Sequence, residues 1–179
     1  DAAQKASEMI DDKFILMNGD DLYSGDDIRS CIKKYPSILL AQVKNPSSFG
    51  VVECQGEFVK SMVEKPENPP SGSFINAGLY FLDKSIFDFE IDKSSRGELE
   101  FTDYIRALIT QERLNYIKTD RWLPVSYPWN LLEANELFLE EIKRVVNGKV
   151  DKNCLIIGQV EIEKGAIIKS GTRIEGPVC

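Results

Sequence analysis

The stretch after Val150 constrains the fold most. Ile156, Ile162, Ile168 and Ile174 recur every six residues. Val160, Ala166, Thr172 and Val178 keep the same period, four residues after each isoleucine, and Gly165 and Gly171 add a third phase. Neither a helix nor a flat strand repeats at six. One aliphatic and one small residue per six-residue step is the pattern of a parallel β-helix, whose prism faces each take about six residues and whose aliphatics stack inside. The sequence holds little more than one full coil, whereas about three repeats are needed for a stable solenoid. Together with a first segment, "DAAQKASEMIDD", that reads as the middle of a helix, this predicts a piece of a longer chain.

Upstream the rhythm is different. Phe14 to Met17 is short and apolar, and predicts a strand buried on both faces, as in a parallel sheet. Ser24 can cap a helix over about 26–34, with acids in its first turn. "SILLAQV" at 37–43 predicts a second buried strand, and "GVVEC" and "EFVKSMVEK" flank a hairpin signal at Gln55-Gly56. A Pro/Gly/Ser loop over 67–73 leads into a strand over 74–83. Tyr104, Ile105, Leu108 and Ile109 share one face of a helix starting near Thr102, and "NYIKT" predicts a further strand. Pro128 is tolerated as a first helical residue. Leu131, Ala134, Phe138, Ile142 and Val145 then form one stripe of a helix that Gly148 stops. Strands alternating with helices imply the α/β class: a three-layer sheet with an antiparallel insertion.

Composition excludes several chemistries. A net charge of −7 argues against a nucleic-acid surface or an anionic membrane, since both favour clustered Lys and Arg. The absence of histidine removes the Ser-His and Cys-His nucleophile systems and the commonest zinc ligand. Cys31, Cys54, Cys154 and Cys179 form no CxxC pair, which fits a reduced, cytoplasmic protein. No stretch approaches the ~20 apolar residues of a membrane span.

The first chemical feature is Asn18-Gly19-Asp20-Asp21, directly after the first strand. Two carboxylates at a turn can simply be solvated. Here they follow a glycine at the carboxyl end of a strand, where ligands bind in open α/β sheets. The glycine lets a phosphate or ribose approach the backbone. One carboxylate can hold Mg2+, which takes oxygen ligands and commonly bridges phosphates.

The order "FILMNGDD", "FGVVE", "VEKP", "NAGLYFLD", "GELEFTDYI", "WNLLEAN" and then hexapeptides closely resembles the sugar-1-phosphate nucleotidylyltransferases. The nearest subgroup is the archaeal-type bifunctional enzymes, which join such a domain to a left-handed β-helix with amino-sugar acetyltransferase activity. The resemblance covers nearly the whole chain. Each motif is weak alone; their joint order and spacing carry it.

The resemblance implies a Rossmann-like, mixed-sheet nucleotidyltransferase domain, truncated at its N-terminus, over 1–148, and the start of a left-handed parallel β-helix over 149–179. It implies a reaction in which a sugar-1-phosphate oxygen attacks the α-phosphorus of UTP or dTTP, releasing pyrophosphate and forming a nucleotide-sugar. The sugar would be glucose-1-phosphate or N-acetylglucosamine-1-phosphate. Catalysis would be positioning and charge neutralisation around Mg2+, with no covalent enzyme intermediate.

The resemblance also assigns residues. Asp20 matches the metal-binding aspartate, with Asp21 structural or outside the metal's contacts. Asn130 stands where close relatives often have a second metal-binding aspartate, and it brings no charge. Glu64 and Lys65 match the pair that meets the sugar and the phosphate: a carboxylate suits hydroxyls, an ammonium suits phosphate. Gly50 permits close approach of the sugar, Asn76 meets a hydroxyl or N-acetyl group, and Gly78 leaves room beside it. Arg96 stands where relatives place a basic residue near the sugar phosphate. Tyr80, Glu100, Thr102 and Asp103 are equally compatible with structural roles.

The family's glycine-rich loop, with the Arg and Lys that cradle the triphosphate, has no counterpart before Asp20. The chain alone is therefore expected to be inactive, with the sugar-phosphate half largely present, and a longer parent is expected to be a homo-oligomer. Two alternatives stand beside this: a non-catalytic regulatory or assembly subunit of a pyrophosphorylase, and acetyl transfer by the β-helix of a longer parent.

Overall fold

The computed structural model describes residues 2–92, 97, 99–111 and 113–179. The chain forms two compact units, 1–124 and 125–179.

The first unit is built on a six-stranded mixed sheet. Its strands are β1 (Lys13–Met17), β3 (Ser37–Gln42), β4 (Gly50–Gln55), β5 (Phe58–Glu64), β6 (Phe74–Asp83) and β7 (Asn115–Lys118), in the order β1-β6-β3-β7-β5-β4. A short antiparallel pair, β2 (Asp21–Leu22) with β8 (Leu123–Pro124), lies outside it. The helices are α1 (Ala2–Ala6), α2 (Gly25–Lys33) and α3 (Phe101–Gln111). The ten-residue β6 is the spine. It pairs antiparallel with β3 along its length, with β1 through Leu79–Asp83 and with β4 through Phe74 and Ile75. β3 and β7 are parallel.

Alternation along β3 and β6 sends side chains to two cores. Ile38, Leu40, Tyr80 and Leu82 pack with Tyr104, Ile105 and Leu108 of α3. Leu39, Ala41, Ile75, Ala77 and Leu79 pack with Cys31 of α2, bordered by Tyr23 and Trp122. A helix on each face gives the three layers expected. Ser24 caps α2 as expected, its hydroxyl accepting from Asp27 N at 3.1 Å.

The expectation for β1 is corrected. It runs antiparallel to β6 at the sheet's edge and is not buried on both faces. Phe14 and Leu16 reach the core, while Ile15 and Met17 remain 37% and 43% exposed. An edge strand has a neighbour on one side only, and a run of apolar residues carries no mark of that position.

The second unit begins with α4 (Asn130–Glu140) and continues in two- and three-residue strands. These are β9 (Val145–Val146), β10 (Lys149–Val150), β11 (Leu155–Ile157), β12 (Glu161–Ile162), β13 (Ile167–Ile168) and β14 (Arg173–Glu175). They pair in parallel: β9 with β12, β10 with β13, β11 with β14, and a bridge joins Val160 to Val178. The hexad aliphatics meet their counterparts, Val150 facing Ile168 and Ile156 facing Ile174, a return of 18 residues. Val160 and Ile162 are the buried members.

The long helix expected to reach Gly148 ends at Glu140. The stripe through Ile142 and Val145 continues by coincidence of period. Val145 N donates to Val160 O at 3.0 Å and Asn147 N to Ile162 O at 2.8 Å, so the strand ladder, which suits β-branched residues, takes this segment. Among the described residues no helix is long and apolar enough to cross a membrane.

Candidate active site

The turn after β1 is tied down by its neighbours. Asn18 N donates to Gly78 O at 3.2 Å, and Asn18 Nδ2 donates to Asp21 Oδ2 at 3.1 Å. Gly78 is required there. Its φ is +74°, and a Cβ would sit 2.3 Å from Asn18 Nδ2. The room it leaves is thus occupied by Asn18, not beside Asn76 alone.

The two adjacent aspartates differ sharply. Asp21 Oδ2 also accepts from Trp122 Nε1 at 3.1 Å and lies 3.2 Å from the Tyr23 hydroxyl. Burial and then the nearby Asp21 charge push the Tyr23 phenol up, so it stays a neutral donor. Asp20 is exposed, and among the described residues its carboxylate has no partner.

A cavity of about 250 Å³ opens beside this turn, lined by Asn18, Phe49, Gly50, Glu64, Asn76 and Gly78 together with Leu16, Ser48, Tyr80, Glu100, Phe101 and Thr102. Register builds it. Gly50 faces Glu64 across the β4–β5 ladder, and a Cβ on Gly50 would stand 3.0 Å from Glu64 Oε2. Asn76, Gly78 and Tyr80 alternate onto one face of β6. Asn76 Oδ1 accepts from Gly78 N at 3.0 Å, and its Nδ2 donates to the Tyr80 hydroxyl. That fixes which end of the amide is which. Burial raises the Tyr80 phenol, with the Glu64 charge contributing, so Tyr80 too remains protonated. The Thr102 hydroxyl is buried without a hydrogen-bond partner.

Lys65 follows Glu64 with φ +44°, a left-handed conformation that is uncommon for a side chain with a Cβ, and it precedes a proline. Its N–H is held by Phe49 O at 3.1 Å, which pins the turn. A backbone held off its preferred regions is a feature of ligand clamps. The Lys65 side chain is exposed.

Of the residues expected from sequence, Gly50, Glu64, Asn76 and Gly78 share this one cavity. Asp20 and Lys65 do not line it, although each is joined to a lining residue: Asp20 through its turn, Lys65 through Glu64 and Phe49. Asn130 lies in the second unit, where its Oδ1 accepts from Tyr127 N at 2.9 Å and its Nδ2 donates to Glu133 at 3.1 Å, closing the first turn of α4. Arg96 lies outside the described residues. Asn18 and Phe49 lie inside the quoted motifs but received no role there, and Ser48, Tyr23 and Trp122 were not singled out in sequence.

Among the described residues no cluster of three or more His, Cys, Asp or Glu can enclose a metal. The unpartnered Asp20 carboxylate nonetheless suits a hard cation that takes one or two protein carboxylates and completes its shell with water and phosphate.

A family model described as nucleotidyl transferase matches residues 1–141. The bifunctional protein GlmU of Methanocaldococcus jannaschii is 42% identical over 171 residues, covering 93% of this chain and 41% of the relative. The bifunctional sugar-1-phosphate nucleotidylyltransferase/acetyltransferase of Sulfurisphaera tokodaii is 37% identical over 175 residues, covering 94% of this chain and 43% of the relative. The chain thus spans less than half the length of these curated relatives. A solved UDP-glucose pyrophosphorylase complexed with UDP-glucose matches with a TM-score of 0.66 at 24% identity, over 78% of this chain and 61% of that one, a likeness of fold.

Proposed function

Because the chain belongs to the nucleotidyl transferase family, we propose that its full-length protein transfers a nucleotidyl group from UTP or dTTP to a sugar-1-phosphate, either glucose-1-phosphate or N-acetylglucosamine-1-phosphate. The observation that carries this reading is the cavity that gathers Gly50, Glu64, Asn76 and Gly78. At about 250 Å³ it is smaller than the ~300–1,000 Å³ of drug-sized pockets and suits a single sugar ring.

Glu64 accepts hydroxyl protons, and Asn76, its amide orientation fixed by Gly78 and Tyr80, offers its remaining donor to a hydroxyl or acetamido group. Gly50 and Gly78 keep the walls thin. The unbonded Thr102 hydroxyl offers one further contact. Lys65, pinned at the cavity's edge, neutralises the sugar phosphate and holds its attacking oxygen in line, so that the rate gain comes from orientation and electrostatics. Mg2+, when bound, would supply charge neutralisation between the two phosphates. Asp20 would hold it. The chain alone, whose sequence holds no glycine-rich triphosphate loop, is proposed to lack turnover.

A second activity is favoured by the parallel strand pairs of the second unit. We read their 18-residue return as the start of a left-handed β-helix, and the acetyltransferase named for the Sulfurisphaera relative as the corresponding activity of the whole protein. The free cysteines support a cytoplasmic setting, the acidic charge leaves nucleic acid and membrane outside the reading, and a homo-oligomer is proposed for the full-length protein.

The test is a pyrophosphate-release assay on the full-length protein, with UTP, dTTP, CTP, GTP and ATP against several sugar-1-phosphates. Release with a uridine or thymidine donor supports the proposal; no release with any pair sinks it.

A further inference from the structure

We propose that Asp21 is a positioning residue: it fixes the Asp20 turn against β6 and ties that turn to the Phe49–Lys65 wall of the cavity, without itself touching metal or substrate. This rests on the reading of Asp20 and Lys65 above.

Asp21 Oδ2 gathers Asn18 Nδ2 at 3.1 Å, Trp122 Nε1 at 3.1 Å and the Tyr23 hydroxyl at 3.2 Å. An oxygen so engaged is a good anchor, and Oδ2 is thereby withheld from a metal. Each donor leads to a different part of the site. Asn18 fills the space above Gly78 and bonds its carbonyl. The Tyr23 hydroxyl also lies 2.8 Å from Ala77 O, one residue from Gly78. Trp122 meets Phe49 edge-on, with ring centroids 5.6 Å apart and planes at 77°. Phe49 lines the cavity, and its carbonyl holds the N–H of Lys65. The backbone agrees, since Asp21 pairs with Pro124 and Leu22 with Leu123, which sets Trp122 against the turn. One carboxylate therefore joins the turn that carries the exposed Asp20, the strand that carries Asn76 and Gly78, and the wall that pins Lys65. Asp21 acts on Asp20 through the turn they share, and loss of the support around a metal ligand typically changes metal affinity or activity by about 10–100-fold.

The test uses the full-length protein and four variants: Asp20→Asn, Asp21→Asn, Asp21→Ala and Trp122→Phe. The measurements are pyrophosphate release across a Mg2+ titration, KM for the sugar-1-phosphate, and Mn2+ binding by water-proton relaxation. Asp21→Asn keeps an acceptor oxygen for the same donors and should stay within about threefold of the parent in all three. Asp21→Ala should raise both the Mg2+ midpoint and the sugar-1-phosphate KM by about tenfold or more, and weaken Mn2+ binding, with a smaller fall in kcat. Trp122→Phe removes one donor and preserves the ring, so it should shift the same two quantities in the same direction by less, which keeps the proposal open to test even where Asp21→Ala fails to fold. If Asp21→Asn is as damaging as Asp20→Asn, the charge of Asp21 acts directly and the proposal is overturned. If Asp21→Ala or Trp122→Phe leaves the sugar-1-phosphate KM unchanged, the tie to the cavity wall is refuted. If Asp20→Asn alone is silent, the metal reading falls, and the KM measurements still decide for or against Asp21.

Discussion

In residues 1–124 a ten-residue strand carries partners along both edges, and the side chain of Asp21 meets one 101 residues further along the chain. In residues 125–179 no strand exceeds three residues, and each meets a partner one short turn of chain away. The first unit places its chemistry by long-range meetings of unlike residues. The second places like beside like, aliphatic over aliphatic. A site needs the first kind of order, because a carboxylate, an amide and an ammonium must converge from separate segments. A repeat needs only a constant phase.

That contrast can be broken at four points. The largest effect belongs to Asp20→Asn in the full-length protein, which should cut turnover by about 10²–10³-fold at fixed Mg2+, the usual result of removing a principal charge-stabilising group. Near-parental pyrophosphate release would remove the catalytic half of the contrast. Gly78→Ala forces a Cβ to within 2.3 Å of Asn18 Nδ2 at a φ of +74°. It should destabilise the first unit by about 3 kcal/mol in chemical denaturation, from steric strain and backbone strain together.

Ile162→Ala probes the repeat. Ile162 is 4% exposed and one of few buried side chains in its unit. The loss should be about 2–3 kcal/mol, at the lower end for such truncations because short strands can close in on the gap. Hydrogen exchange should accelerate at the amides of β9 and β12 while those of β3 and β6 stay protected. Uniform acceleration throughout the chain would show that the two kinds of order are not separable. Lys65→Gly is the smallest and the most telling. Relief of φ +44° should raise stability by about 1 kcal/mol while the sugar-1-phosphate KM rises. A variant that is more stable and binds as well would show that the strained turn serves no ligand.

The sequence was most legible where information is local. The hexad phase, the Ser24 cap, the Gln55-Gly56 hairpin and the helix at Thr102 all depend on neighbours within a few residues, and all appear where they were read. The exposure of Ile15 and Met17 was hidden, because the edge of a sheet is decided by what lies beside the strand. The end of α4 was hidden for a related reason: Ile142 and Val145 fit the helical stripe, and only the pairing of β9 with β12, formed 16 residues on, shows that the ladder claims Val145. In the site, the motifs "FGVVE", "VEKP" and "NAGLY" pointed to Gly50, Glu64, Asn76 and Gly78, which share a cavity, and to Lys65, which lies outside its lining. What they could not show was the support: Trp122 carries no local mark of its bond to Asp21, and nothing in Lys-Pro announces a left-handed lysine.

The 18-residue return of the parallel strands has one more consequence. It acts on the second unit as a reading frame acts on a message. In the β-helix proposed above, adding or removing six residues would move each later hexad isoleucine onto the next face with its inward direction intact, and eighteen would restore the original face. Removing one residue ahead of Ile168 puts Lys169 and Glu175 in the places of Ile168 and Ile174. The first unit, whose loops join strands of unlike partners, has no such constant phase to keep. Length variation among natural versions of the second unit should therefore come in whole hexads or be confined to its corners.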